Sequence, residues 1–239
     1  KDWQALWDHG GFPEPFLRRD KSFSRRWHKL RGAQLLREDV RDLTGIRELD
    51  QLAILVKLLK ERSGQQIVYS NLARSIRVSE NTARNWVATL CSLQFGFLVR
   101  PWYRNITKAL RKEPKWFLRD WSGISDTGSR AETLIACHLL KAVHGWSDLG
   151  FGDFELRYIR DKQKREVDFL VLRDDQPWFL VEVKHRDDKL SPNLAFFQKQ
   201  TGAEHAFQTV LTEEFIDTNC FKYKKPIVVP ARTFLSQLI

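Results

Sequence analysis

The sequence predicts an α+β protein in which an N-terminal helical region precedes an α-β-β-β-α-β domain with a mixed sheet. Three observations predict it. Up to about residue 93 the apolar residues recur mainly at three- and four-residue intervals, the period of a helix face. Beyond about residue 150 they gather into short runs of strand length, bounded by polar turns. Between the two lies "WSGISDTG", Trp121–Gly128, a polar and glycine-containing stretch that reads as a boundary. The chain thereby divides into 1–60, 61–120 and 121–239.

The first part begins with a turn at "HGGFPEP", His9–Pro15. "WHKLRGAQLLREDVRDL" follows, with Leu30, Ala33, Leu36, Val40 and Leu43 forming one apolar stripe on a polar helix. "ELDQLAILVKLLKER" gives a second amphipathic helix on Leu49, Leu52, Ala53, Val56 and Leu59. In the middle part a short helix is expected at Asn71–Ile76, then a tight turn and a helix from Asn81 to Leu93. Ser79 is placed to cap the second helix by accepting one of its orphan N–H groups. Ala83, Trp86, Val87, Leu90 and Leu93 face inward, leaving Asn81, Arg84 and Asn85 outward. With a strand beginning at "GFLVRPW", this is the winged-helix pattern. Arg and Asn on its second helix can reach base edges in DNA, so Asn81, Arg84 and Asn85 are candidate nucleic-acid contacts. A winged helix that only spaces or docks neighbouring domains explains the same pattern.

In the last part a helix spans "SRAETLIACHLLKAV", with Ala131, Leu134, Ile135, His138, Leu139 and Ala142 on one side. Strands are expected at Phe154–Ile159, Val167–Leu172 and Trp178–Val183. A helix at Asn193–Gly202, a strand at Phe207–Leu211 and a closing "PIVVPARTFLSQL" complete the order.

Composition narrows the function. At 239 residues, 42% hydrophobic and 12% aromatic, the chain can bury a real core. No apolar run approaches the ~18 residues of a membrane helix, so a membrane partner is not expected. Cys91, Cys137 and Cys220 lie far apart, which disfavours a disulfide framework and fits a reducing cytoplasm. There is no His-Glu-x-x-His pattern, and adjacent Cys137 and His138 read as core or edge residues rather than ligands. The chain starts at Lys1 and contains no methionine, so it is expected to be a C-terminal piece of something longer, or a trimmed chain. It holds no G-x-x-x-x-G-K-[ST] loop to cradle nucleotide phosphates. The net charge of +10 is uneven: residues 1–120 hold 24 Lys and Arg against 13 Asp and Glu, the rest 16 against 17. That asymmetry favours a polyanion, DNA or RNA, at the first half, or marks a solvated helical surface.

Chemistry concentrates in "REVDFLVLRDDQPWFLVEVKHR", Arg165–Arg186. If five residues, Arg173–Pro177, join the strands, a symmetric hairpin pairs Leu172 with Trp178, an index sum of 350. The same sum sets Asp168 opposite Glu182 and Glu166 opposite Lys184 on one face. Opposed Cβ atoms lie roughly 4.5–5.5 Å apart, where like charges destabilise a sheet. Two carboxylates beside a lysine could bind a hard divalent cation, share a proton, or be neutralised by Lys184 and nearby arginines at an exposed edge. With a metal, the ion would polarise a phosphoryl oxygen and Lys184 would orient water or offset growing charge. Glu132 on the preceding helix and Gln198 or Gln200 on the following one could complete the site.

Glu132, Val167-Asp168 and Glu182-Val183-Lys184 within α-β-β-β-α-β resemble the PD-(D/E)XK nuclease superfamily of restriction-endonuclease-like folds. Val167 stands where that motif has proline. The resemblance implies catalytic roles for Asp168, Glu182, Lys184, Glu132 and Gln198, with Asp168 and Glu182 holding Mg²⁺ or Mn²⁺ for phosphodiester hydrolysis. From about Gly10 onward, "GGFPEP", "EDVRDL", the winged-helix stretch, "RNITKAL", "REVDFLV" and "VEVKHR" resemble the C-terminal region of a prokaryotic AAA-type ATPase family. This implies an upstream ATPase module through which ATP would act, a cytoplasmic setting and room for oligomers. It leaves two functions in competition: a metal-dependent nuclease, or a non-catalytic nucleic-acid-binding or protein-interaction arm of the ATPase.

Overall fold

A computed structural model describes residues 1–34, 48–103, 113–187 and 189–238. The chain forms two compact units, Lys1–Leu98 with Glu113–Asp126, and Val99–Lys112 with Thr127–Ile239.

The first unit opens with helices α1 (Asp2–His9), α2 (Pro13–Arg18) and α3 (Lys21–Gln34). Only Gly10–Phe12 of the expected turn "HGGFPEP" lies outside helix. Pro13 and Pro15 belong to α2, because proline in a first turn has no intrahelical N–H to lose. Of the expected stripe, Leu30 is the member whose side chain falls among the described residues. Leu30 is 70% exposed, and the covered face carries Phe23, Ser24, Trp27 and His28 at helical spacing instead. Leu36, Val40 and Leu43 of that stripe, with "EDVRDL" and "RNITKAL", fall outside the described residues, and nothing is assigned to the Ala33 side chain.

Helix α4 (Leu49–Lys60) buries Leu52, Leu55, Val56 and Leu59. Strand β1 (Gln65–Gln66) leads to α5 (Tyr69–Ile76) and α6 (Glu80–Ser92). Arg77, left-handed at φ 56°, ends α5. The Ser79 hydroxyl accepts from the Thr82 N–H at 3.0 Å, the expected cap. Ala83, Trp86, Val87 and Leu90 are buried on α6 while Leu93, just past its end, is half-buried. Strand β2 (Gly96–Pro101) starts in this unit, and β3 (Lys115–Leu118) pairs antiparallel with β1. At Gly96 the backbone runs so close to Trp116 that an added Cβ would lie 2.3 Å from the indole.

The second unit begins on the last residues of β2, which pair parallel with β4 (Phe154–Arg160) through Arg100↔Arg157 and Pro101↔Tyr158. Helix α7 (Thr127–Asp148) precedes β4. Then come β5 (Glu166–Arg173), β6 (Gln176–Lys184), α8 (Pro192–Thr201), β7 (His205–Val210), β8 (Ile227–Pro230) and α9 (Ala231–Leu235). Within this unit the strand order is β2-β4-β5-β6-β7-β8. The β4/β5 and β5/β6 pairs are antiparallel, and β6/β7 and β7/β8 parallel, so the sheet is mixed and the class α+β. Helix α7 packs on β4 and β6, and α8 on β5, β6 and β7. Leu170, Leu172 and Leu180 of the sheet meet Leu194 and Phe197 of α8 in one core cluster. Phe179, Phe207, Phe221 and Phe234 form an edge-to-face aromatic group elsewhere in the unit. No described helix is long and apolar enough to cross a membrane. Cys91 and Cys137 are half-buried and Cys220 is buried, and no disulfide joins them.

On α7 the expected face is buried at Ala131, Leu134, Ile135, Leu139 and Ala142, and His138 is half-buried at its margin. The His138 Nδ1 lies 2.8 Å from the Leu134 carbonyl. Burial lowers its pKa below 6.5, reinforced by the Lys141 charge and opposed by that hydrogen bond. A histidine depressed in the folded state binds fewer protons there than in the unfolded chain. Its contribution to stability is therefore present above 6.5 and lost as pH falls through the folded value. Melting temperature measured from about pH 7.5 to 5 should fall more steeply for the native protein than for His138→Leu. Parallel curves would count against it.

Candidate functional site

The site is built on the β5/β6 hairpin. Its turn is tighter than the sequence suggests: Asp174 and Asp175 are both left-handed, at φ 50° and 63°, the geometry of a two-residue hairpin turn. Leu172 consequently faces Pro177, not Trp178, and the index sum at the turn is 349. A bulge between Val171 and Leu172 restores the expected register, pairing Val171 with Phe179, Leu170 with Leu180 and Phe169 with Val181. One step further on this register stand Asp168 and Glu182. There the Asp168 side chain replaces the ladder, its Oδ2 accepting from the Val183 N–H at 2.8 Å.

Strand parity places Asp168, Glu182 and Lys184 on the face that carries Leu170, Leu172 and Leu180, the side covered by α8. Glu182 is 7% exposed, and its Oε1 accepts from the Lys184 Nζ at 2.8 Å. Burial by itself would lower the Lys184 pKa. The hydrogen bond to Glu182 and the charges of Glu182, Asp168 and Asp187 outweigh it and hold the ammonium above its ordinary value. Glu166 does not take Lys184, as the two-strand register implies. It pairs instead with Arg160 of β4, its cross-strand neighbour on the other side, at 3.1 Å.

Two polar residues that sequence reasoning did not single out shape the surroundings. Gln208, fully buried on β7 beside Glu182, accepts from the Ser191 N–H and donates to the carbonyls of Asp187 and Lys189. It thereby anchors the segment that follows Lys184. Asn193, in the first turn of α8, donates to the Glu166 carbonyl at 3.1 Å. The signal for Gln208 is a lone amide in the apolar run "HAFQTVL", a buried position that demands hydrogen-bond partners.

The other expected residues are distributed differently. The Gln198 amide donates to the carbonyls of Ala203, Glu204 and Lys224. These lie at the C-terminal end of α8, where Glu204 bonds Trp178 at the opposite end of β6 from Lys184. The structure thus assigns Gln198 to closing the α8–β7 connection rather than to the carboxylate pair. Gln200 is exposed on the same turn. Glu132 is half-buried on α7, and among the described residues no three His, Cys, Asp or Glu side chains form a group arranged for a metal ion. The acids brought together are a pair. In the first unit Asn81 and Asn85 are exposed on α6. Arg84 is exposed there as well, paired with Glu80 at 2.9 Å and with its guanidinium 4.0 Å over the Tyr69 ring.

Comparison with known proteins adds family and relatives. Residues 127–231 match a domain of unknown function, DUF4143. Two curated relatives, the uncharacterized protein Mb2031c of Mycobacterium bovis and the uncharacterized protein Rv2008c of Mycobacterium tuberculosis, are each 31% identical over 116 residues. That stretch is 48% of this chain and 26% of either relative, so the match spans about a quarter of their length. No solved structure matches the chain. Residues 1–126, more than half of the chain, match a further domain of unknown function, and on that match the protein belongs to the DUF8612 family.

Proposed function

We propose that the second unit is a nuclease-like domain of the PD-(D/E)XK kind, hydrolysing phosphodiesters of nucleic acid with Mg²⁺ or Mn²⁺. The observation that carries this reading is the nine-tenths-buried Glu182 in register with Asp168. Beside it the Lys184 ammonium is held by its hydrogen bond to Glu182 and by the charges of Glu182, Asp168 and Asp187. A sheet needing only a core would hold apolar residues at these positions. Hard carboxylate oxygens suit Mg²⁺ or Mn²⁺, and Asp168 and Glu182 are the residues that would hold the ion. Such an ion supplies Lewis acidity toward a phosphoryl oxygen and lowers the pKa of water. Lys184, aligned by Glu182, would offset charge growing on the phosphoryl oxygens. Gln208, bonded to the backbone of Asp187, Lys189 and Ser191, holds those residues in place beside the site.

The helix pair α5–α6 followed by β2 and β3 supports a winged-helix reading of the first unit. There Asn81, Arg84 and Asn85 remain candidate base contacts, all three exposed on α6, with Arg84 also pairing with Glu80 at the surface. The motif resemblance supports placing both units behind an AAA-type ATPase module, which would bring ATP to the parent protein.

Incubating the protein with plasmid, single-stranded DNA and RNA in Mg²⁺ or Mn²⁺ tests the proposal. Cleavage should occur with at least one substrate, and Asp168→Ala should abolish both cleavage and calorimetric Mn²⁺ binding. Salt-dependent DNA binding without metal uptake or product would favour the non-catalytic arm instead.

A further inference from the structure

The second unit carries a cavity of about 630 Å³ at the end of β6 opposite Lys184, within the range of roughly 300–1,000 Å³ usual for ligand pockets. Trp146, near the end of α7, and Trp178, near the start of β6, form two of its walls. Their rings meet edge-on, 5.3 Å apart between centroids and inclined at 64°, so they make a corner rather than one flat surface. Phe221 stands beside Trp178, 5.7 Å away and inclined at 28°. Phe215, from the segment after β7, adds a fourth ring and is 51% exposed.

The polar side chains of the lining are largely committed to the wall itself. Gln237 accepts from the Cys220 N–H and donates to the Thr218 and Thr233 carbonyls. The Asn219 side-chain oxygen accepts from the Phe221 N–H, and the Ser236 hydroxyl donates to the Thr233 carbonyl. A sugar, or any ligand that needs a set of directed hydrogen bonds, is poorly matched to such a wall. What remains is aromatic surface and Asp217, the one ionisable residue among the described lining, which is exposed. A second cavity shares Trp146 and Trp178, and there the chain supplies a cation of its own. Arg173 belongs to that lining, its guanidinium 5.7 Å from the centre of the Phe154 ring. The larger cavity offers the same tryptophan pair with an acid and, among its described lining residues, no cation.

We infer that this cavity binds a small quaternary ammonium compound, its methylated cation against Trp146 and Trp178, with Asp217 supplying the counter-charge. A cation over an aromatic ring is attracted by the negative face of the π-system, and the attraction grows as water is excluded. A quaternary ammonium carries no N–H, so it gives up no hydrogen bond on leaving water for a wall of rings. The carboxylate fixes the sign of the ligand: an anion would meet Asp217 as a like charge, and a neutral apolar molecule would gain nothing from it.

Calorimetric titration of the full chain at constant ionic strength tests the inference. Its probes are choline, the uncharged isostere 3,3-dimethyl-1-butanol, and a short peptide carrying one trimethyllysine. Saturable binding of choline is expected, with the isostere at least about fivefold weaker. Asp217→Asn, a change at an exposed position, should weaken choline about fivefold and leave the isostere unchanged. Trp146→Leu should weaken both, with the exposed Phe215→Leu in its place if that variant melts early. Peptide binding equal to or weaker than that of choline keeps the site with free ligands. The inference is overturned if choline does not bind saturably, if choline and its isostere bind alike, or if affinity ignores Asp217→Asn and the aromatic substitutions. A peptide that binds more than about tenfold tighter than choline overturns the assignment to a small compound. Choline contains no phosphodiester, so these outcomes are independent of whether the carboxylate pair cleaves anything.

Discussion

Gly96→Ala is expected to destabilise the N-terminal unit by about 1–3 kcal/mol or more, the cost of forcing atoms into a filled core. The added methyl would lie 2.3 and 2.4 Å from two carbons of the Trp116 indole and 2.5 Å from the Phe117 carbonyl oxygen. Trp116 is wholly buried and the carbonyl is backbone, so neither can swing aside as a surface side chain would. The urea midpoint followed by circular dichroism should fall clearly. Adding Trp116→Leu should recover less than Gly96→Ala lost, because the Phe117 carbonyl still stands in the way. An unchanged midpoint would contradict the close approach.

Gln208→Leu is expected to cost about 2–4 kcal/mol, from three backbone hydrogen bonds at roughly 1 kcal/mol each. Leucine keeps most of the buried volume, so the loss isolates the hydrogen bonds to Asp187, Lys189 and Ser191 from a cavity effect. The released segment contains Arg186 and Lys189, both trypsin sites. Trypsin should therefore cut the variant there faster than the native protein under conditions where the rest of the chain stays folded. Equal cleavage and an equal urea midpoint would show that Gln208 does not hold the segment.

The backbone of this site was legible in the sequence because strand pairing follows arithmetic. The sum of 350 holds from Val171↔Phe179 to Phe169↔Val181, and it leads to Asp168 beside Glu182. What the arithmetic could not see was how the sum arises: two left-handed aspartates and a bulge, with no glycine to announce the turn. The partner of Glu166 was missed for a different reason. A residue inside a sheet has two neighbouring strands, and a hairpin considered alone shows only one, so Arg160 on β4 stayed hidden. Gln198 was placed by its position on the following helix, but the direction of a side chain depends on which carbonyls converge on it. Those of Ala203, Glu204 and Lys224 come from two separate places in the chain, about twenty residues apart. Leu30 shows the converse limit, since helical spacing alone does not say whether a given leucine is covered. Ser79 and the buried face of α6 were readable because cap and period are local properties.

Glu182 stands on a strand flanked on both sides, by β5 and by β7. That central position gives the carboxylate a fixed place, and at 7% exposure it also makes a charge there costly to keep. Under random mutation with no demand on this site, an apolar residue at 182 would relieve the desolvated charge, and the charged pair would tend to erode. A carboxylate at this position is thus a stability cost to the sheet, offset in part by the hydrogen bond it accepts from Lys184.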